Sequence, residues 1–334
     1  MDRKLASIQK IIDIQEHNNA DSLSIAKVLG WTVVASKNEF NIGDMVIYVE
    51  VDSVLPDSNP YFKFLENKKY RIKTIRLRGV ISQGICFPVS ILPEGTEIIE
   101  GKDVTEILKI KLYEPPNTID INGEIAGQRP SYIPKTDVTR LQSIPEILTQ
   151  YQNEIYWISE KLDGTSSSYA LNNGEFSVCS RKLNLKENEN NIFWKVANKY
   201  KIKEKLKELN RNIVLQGEII GDKIQGNKYK IIGHELYLFD IFDIDRYQYV
   251  NFDEFLKLAY QLDMKTVPII ENKFSIKNKT IDELLRMSDN FSIVSPSFSR
   301  EGLVFKSIQE KWDMKIGRIQ FKVVSQEFLL ENDE

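Results

Sequence analysis

The sequence has 334 residues, enough for two compact domains that each bury a core. It carries 45 basic against 48 acidic residues, a net charge of −3, so any hold on nucleic acid must come from local patches rather than from overall charge. The two cysteines, Cys86 and Cys179, lie far apart in apolar runs, which argues against a disulfide framework or a zinc site and fits a reducing, cytoplasmic setting. Charges within residues 1–10 speak against a signal peptide, and no apolar run reaches the ~20 residues of a membrane span.

In chain order, residues 24–35 give apolar runs interrupted by Gly30. Asn41-Ile42-Gly43-Asp44 reads as a turn before a strand over 45–51. Residues 70–77 alternate basic and apolar side chains until Gly79 turns the chain. Short strands at this spacing predict a small β-barrel of OB type over residues 1–112. Pro115, Pro116, Asn117, Asn122, Gly123 and Gly127 supply loop chemistry and mark a linker over 113–130. In the second domain, 131–334, strands and helices mix. A strand over 156–160 ends at Lys161, and 192–209 has helical apolar spacing with lysines on its other face. Strands follow over 213–219 and 235–241, helices over 252–262 and 281–287, and strands over 302–305 and 319–324. The class is α+β: an OB-type β-barrel followed by a domain of antiparallel sheets flanked by helices.

Several charged residues sit where packing alone would not place them. Lys161 ends a strand, with Asp163 two residues on and Gly164 behind it, so the lysine and the acid point the same way. Glu218 interrupts the apolar run 213–219, Glu301 and Lys306 flank Gly302-Leu303-Val304-Phe305, and Lys322 lies inside the last strand. Taken singly, each is a solvated strand-edge charge. Their order, with Ser180-Arg181-Lys182 and Leu238-Phe239-Asp240-Ile241 in between, resembles the motif order of covalent nucleotidyltransferases, the polynucleotide ligases and capping enzymes. Lys161-Leu162-Asp163-Gly164 matches the nucleophile motif K-x-D-G, and the resemblance runs over about 135–325.

The resemblance implies that 131–334 is an adenylyltransferase domain with Lys161 as nucleophile. A lysine in water has a pKa of ~10.4 and is mostly protonated. Lys306, Lys322 and a divalent metal are expected to lower it and free the lone pair. Arg181, Lys306 and Lys322 would stabilise charge on the phosphate oxygens. Asp163, Glu218 and Glu301 would take Mg2+ or Mn2+ through oxygen. Phe239 would stack on adenine, and Glu160, Gly164 and Arg140 would complete an ATP or AMP site.

Capping enzymes and DNA ligases carry an OB domain after the fifth motif, whereas here the candidate barrel leads. That order resembles the ATP-dependent RNA ligases of the Naegleria type. Lys135-Thr136-Asp137 with Arg140 and Gln142, Ile224-Gln225-Gly226-Asn227, and Val80-Ile81-Ser82-Gln83-Gly84 also resemble RNA-ligase sequence. One departure is Gln320, where many RNA ligases have the first of two alternating lysines. The implied partner is RNA with 3′-OH and 5′-phosphate ends, with room for a separate end-healing enzyme. In the first domain, Arg71, Lys73, Arg76 and Arg78 beside Tyr61, Phe62, Phe64 and Tyr70 form a candidate RNA platform, cations for phosphate and rings for stacking. A solvated barrel edge over core aromatics is the other reading of that run. Alternatives for the whole chain are a DNA ligase, an mRNA guanylyltransferase or, in another class, a non-catalytic nucleic-acid-binding protein. Labelled ATP and GTP separate them.

Overall fold

The computed structural model describes residues 3–113 and 124–332. The chain gathers into two compact units. One comprises Met1–Pro116, Thr139–Thr149 and Gln326–Glu334, and the other Asn117–Val138 and Gln150–Ser325.

The first unit is built on an antiparallel five-stranded sheet, in the order Trp31–Ser36, Leu23–Val28, Ala6–Glu16, Met45–Val49, Ile85–Pro88. The long first strand pairs with Met45–Val49 through its first half and with Leu23–Val28 through its second, and its register breaks between Ile11 and Asp13. A bulge there bends the strand, which curls the sheet into the expected barrel form. Ile8, Val28, Trp31, Ile47 and Val49 fill the core. Gly84 ends the motif Val80–Gly84 for a steric reason. Its φ is +89°, and a Cβ there would lie 2.5 Å from the Tyr48 ring.

The alternating run 70–77 does not form one strand. Only Thr74–Leu77 does, paired with Val80–Gln83. Before it, Asn59 caps a 3-10 helix, Pro60–Lys68, by accepting from Tyr61 N, and Lys69 and Tyr70 take left-handed φ values of 52° and 56°. The cap and the proline fix that local geometry ahead of any strand pairing.

The second unit holds two antiparallel sheets. Seven strands run in the order Ile125–Gln128, Leu183–Leu185, Glu175–Cys179, Thr165–Asn172, Ile213–Gly221, His234–Asp243, Gln248–Tyr249. Four run in the order Ile269–Ser275, Ile155–Lys161, Gly302–Ser307, Gln320–Val324. Helices Ile192–Lys199, Ile202–Leu209, Phe252–Gln261 and Ile281–Ser288 accompany them. The run 192–209, expected as one helix, is two, because Lys201 adopts φ 51°. Trp157 stacks on Phe252 and Phe255, which ties helix Phe252–Gln261 to the four-stranded sheet.

Domain boundaries read from the sequence differ from these units. Pro115, Pro116, Asn117, Asn122 and Gly123 lie outside the described residues. Gly127, expected in the linker, sits within a strand paired to Leu183–Leu185. Residues 139–149 group with the first unit, where Ser143 Oγ donates to Glu50 Oε1 (2.7 Å) and Gly30 N to Gln142 O (2.9 Å). The helix Gln326–Asn332 returns to the first unit as well, and its Glu327 pairs with Arg76 (2.9 Å). Such contacts join residues far apart in sequence, which spacing along the chain does not report.

Candidate active site

Lys161 is the last residue of a strand whose Tyr156, Trp157 and Ile158 are buried, as β-branched and aromatic side chains favour. The chain then turns at Asp163-Gly164, and a Cβ on Gly164 would meet the Ile219 carbonyl at 2.3 Å, so only glycine lets this loop lie so close to the neighbouring strand. Lys161 Nζ donates to Glu301 Oε2 at 2.6 Å. Glu301 is brought there by pairing of Lys161 with Gly302, where a Cβ would run into the Val323 carbonyl at 2.2 Å. Cross-strand partners share a face. Lys161, Ser159 and Trp157 therefore share one with Lys306 and, on the next strand, with Lys322 and Gln320.

The electrostatics around Lys161 are dominated by acids. Burial pulls the pKa of Lys161 down, but Glu301 and Glu218 outweigh it and hold the ammonium above its ordinary value. Lys306, Lys322 and a divalent metal were together expected to lower it; the protein's own groups without metal raise it. Lys306 is committed elsewhere: its Nζ donates to Asp240 Oδ2 (2.7 Å) and Phe239 O (2.6 Å), and burial brings its pKa down to about 8. Burial, reinforced by Glu301 and Asp163 against the pull of Lys161, pushes Glu218 up to about 8. Among the described residues no three acid, histidine or cysteine side chains already stand as a metal-ligand group. What fits a divalent cation is the donor chemistry, since Glu218, Glu301 and Asp163 are hard oxygen ligands whose crowded negative charge a cation relieves.

Phe239 owes its position to a β-bulge. Gln216 pairs with Asp240 and Gly217 with Leu238, so the register skips Phe239. Its ring is half-buried among Leu162, Ile220, Tyr237 and Val294, and Lys306 Nζ lies 5.4 Å from it. That shelf adjoins the nucleophile motif through Leu162 and suits a flat base. Asp240, beside the bulge, is buried and holds two cations, Lys306 and Arg318 (2.9 Å). Arg318 also pairs with Glu310 and stacks on Tyr249.

Residues 154–324 match the RNA ligase family, and residues 5–89 match an OB-fold domain. The chain belongs to the RNA ligase family. Naegleria gruberi RNA ligase with pyrophosphate is 37% identical with a TM-score of 0.91, covering 98% of each chain. A mutant of the same enzyme solved with ATP and Mn is 36% identical with a TM-score of 0.92, covering 99% of this chain and 100% of that one. Another mutant, solved with AMP and Mn, is 37% identical with a TM-score of 0.91, covering 98% of each. No match was found among curated proteins. No helix among the described residues is long and apolar enough to cross a membrane.

The remaining residues singled out in this RNA ligase fall into three places. Glu160 turns to the other face of its strand, where Oε2 accepts from Ile293 N (2.8 Å) while Oε1 is buried with no hydrogen-bond partner. Arg181 is exposed and pairs with Asp137, which joins the Lys135–Asp137 stretch to the site strands. Arg140 groups with the first unit, bound to Asp52 (3.3 Å) and lying over Trp31. Arg71 is turned inward, over the Tyr113 ring at 3.7 Å and near Asp52. Lys73 is half-buried, and Arg76 and Arg78 are exposed. Of the candidate rings, Phe62 is core, while Tyr61 and Phe64 are exposed.

Sequence reading named Asp240 only as part of its motif and passed over Arg318, Lys228 and Tyr229. Lys228 Nζ contacts Asp163 Oδ2 (2.7 Å), and Tyr229 Oη accepts from Asp163 N (2.7 Å). The signal for the last two was their place directly after Ile224–Asn227. For Asp240 it was an acid inside an apolar strand.

Proposed function

We propose that this RNA ligase is ATP-dependent and works through Lys161. The lysine nitrogen attacks the α-phosphorus, an N–P bond forms, and pyrophosphate leaves. A 5′-phosphate oxygen of RNA then displaces the lysine to give RNA-adenylate. The RNA 3′-hydroxyl attacks that 5′-phosphorus and releases AMP. The observation that carries the reading is the pairing of Lys161 with Glu301 at the end of a strand, with Glu218 acting on the same lysine. Glu301 keeps the lysine protonated and aimed, and the lone pair becomes available when Glu301 is drawn off and the proton lost. A divalent cation, Mg2+ or Mn2+, held by Glu218, Glu301 and Asp163, would supply the positive charge that draws Glu301 off and offsets charge on the phosphate. Phe239 carries adenine on its shelf, with Glu160 and Gly164 at the nucleotide's edge. Lys322 shares the Lys161 face and attracts phosphate, and Arg181 serves the same end from the loop. Lys306 acts from below as a partner of Asp240 beside the Phe239 shelf. Arg76 and Arg78, with Lys73, contact RNA phosphate.

The physiological reading is repair of broken RNA with 3′-OH and 5′-phosphate ends, after an end-healing enzyme where one is needed. A cytoplasmic setting goes with it, supported by two buried free cysteines. The test is incubation with α-labelled ATP or GTP, then addition of nicked RNA or DNA. ATP labelling followed by RNA sealing is expected. A GTP adduct would indicate capping chemistry, sealing of DNA alone a DNA ligase, and no adduct a binding protein.

A further inference from the structure

The loop over residues 221–233 is more constrained than a connection between two paired strands requires. Lys223, Gln225, Asn227 and Lys230 all have positive φ, and such backbone persists only where surrounding contacts over-determine it. Here Asn227 does so. Its Nδ2 donates to Asp222 Oδ1 (3.1 Å) and Ile231 O (2.9 Å), and its Oδ1 accepts from Ile231 N (3.1 Å). The two residues thus presented, Lys228 and Tyr229, grip one aspartate from both sides. Tyr229 is buried edge-on against Phe298 (5.0 Å) and accepts the Asp163 main-chain N–H, while Lys228 Nζ holds the Asp163 carboxylate. That ion pair is sheltered, with 27% and 16% of the two side chains exposed, so salt screens it less than a surface pair.

Two of the three acids next to the nucleophile therefore carry an ammonium each, Glu301 that of Lys161 and Asp163 that of Lys228. Resting on the reading of this site as a metal-assisted adenylation centre, we infer that Lys228 is a placeholder for the divalent cation at Asp163. Its ammonium neutralises the carboxylate and keeps the loop shut before metal arrives, and metal binding has to displace it. Lys228 is a positioning residue in this scheme. It sets how much metal the enzyme needs, and it keeps Asp163 aimed at the site in the interval.

The test uses full-length protein that has already been shown to label Lys161 with ATP. A null result then removes the role of Lys228 and leaves the Lys161 reading standing. With α,β-methylene-ATP present, which cannot transfer its AMP, Mn2+ is titrated and the rise in Tm gives a half-saturating concentration. Each variant is read against its own Tm without Mn2+, which separates metal demand from fold stability. Lys228→Met and, as a second variant, Lys228→Gln are expected to lower the half-saturating Mn2+ by about two- to fivefold. In an Asp163→Asn background the same substitutions should produce no shift. An unchanged or increased Mn2+ requirement overturns the inference. So does a shift that survives Asp163→Asn, or a wild-type protein whose Tm does not respond to Mn2+.

Discussion

The charges around Lys161 and those of the basic run 71–78 both stand out in sequence as charges set among apolar residues. They end in different kinds of environment. Around the nucleophile several charges take a partner from a distant part of the chain: Lys161 with Glu301, Asp163 with Lys228, Lys306 and Arg318 with Asp240. In the basic run the residues separate. Arg71 is drawn inward to Asp52 and Tyr113, while Arg76 stays exposed with one exposed partner and Arg78 stays exposed beside a turn. Buried charges are coupled, so losing one leaves another uncompensated. Exposed charges act nearly independently and are screened by salt.

That difference can be broken or sharpened by substitution. The largest effect is expected at Asp240. Asp240→Ala leaves Lys306 and Arg318 buried without their shared carboxylate and should cost about 3–5 kcal/mol in denaturant unfolding. A loss below about 1 kcal/mol would show that water or another acid replaces it. Glu218→Ala and Glu301→Ala should raise the metal needed for adenylation by roughly 10–100-fold. Titration of Mn2+ against adduct formation reads this, and unaltered metal demand in both would remove them from the metal site. In the basic run, Arg76→Ala with Arg78→Ala should weaken RNA binding and reduce the slope of log K against log salt by about one to two. Adenylation without RNA should not change. Smallest is Arg71→Met, expected to leave that slope alone and cost about 1 kcal/mol of stability through lost cation–π and ionic contacts. The pH dependence follows from its partner. Burial pushes the Asp52 carboxyl up, but Arg140, Arg3 and Arg71 outweigh it and hold it below its ordinary value of 3.8. The stability this provides is present above that value and is lost as pH falls below it, so Asp52→Asn should flatten the acid limb of the stability profile.

The legible part of the molecule was what local pattern controls. Apolar runs located the strand ending at Lys161, those holding Glu218 and Lys322 and the one that Glu301 precedes, and the resemblance in motif order grouped them into one site. The bulge that turns Phe239 is invisible to alternation, because it is a register skip between Gln216 and Gly217 against their partner strand. Inward-facing Arg71 was missed for a related reason. Its partners, Asp52 and Tyr113, come from outside the run, and a count of nearby cations cannot tell a phosphate contact from an internal ion pair. Arg140, taken by resemblance as a nucleotide contact, lies in a segment, 139–149, whose contacts to Glu50 and Asp52 are not legible from spacing along the chain. The protein's own acids hold the Lys161 ammonium above its ordinary value, and the expected lowering counts on a divalent metal beside the cations.

The most direct measurement is to locate the adenylate. After incubation with ATP and Mn2+, peptide mapping of the full-length protein should find AMP on Lys161 alone, and Lys161→Ala should carry none. AMP on Lys306, Lys322 or any other residue, or an adduct that persists in Lys161→Ala, would contradict the assignment of the nucleophile and the chemistry built on it.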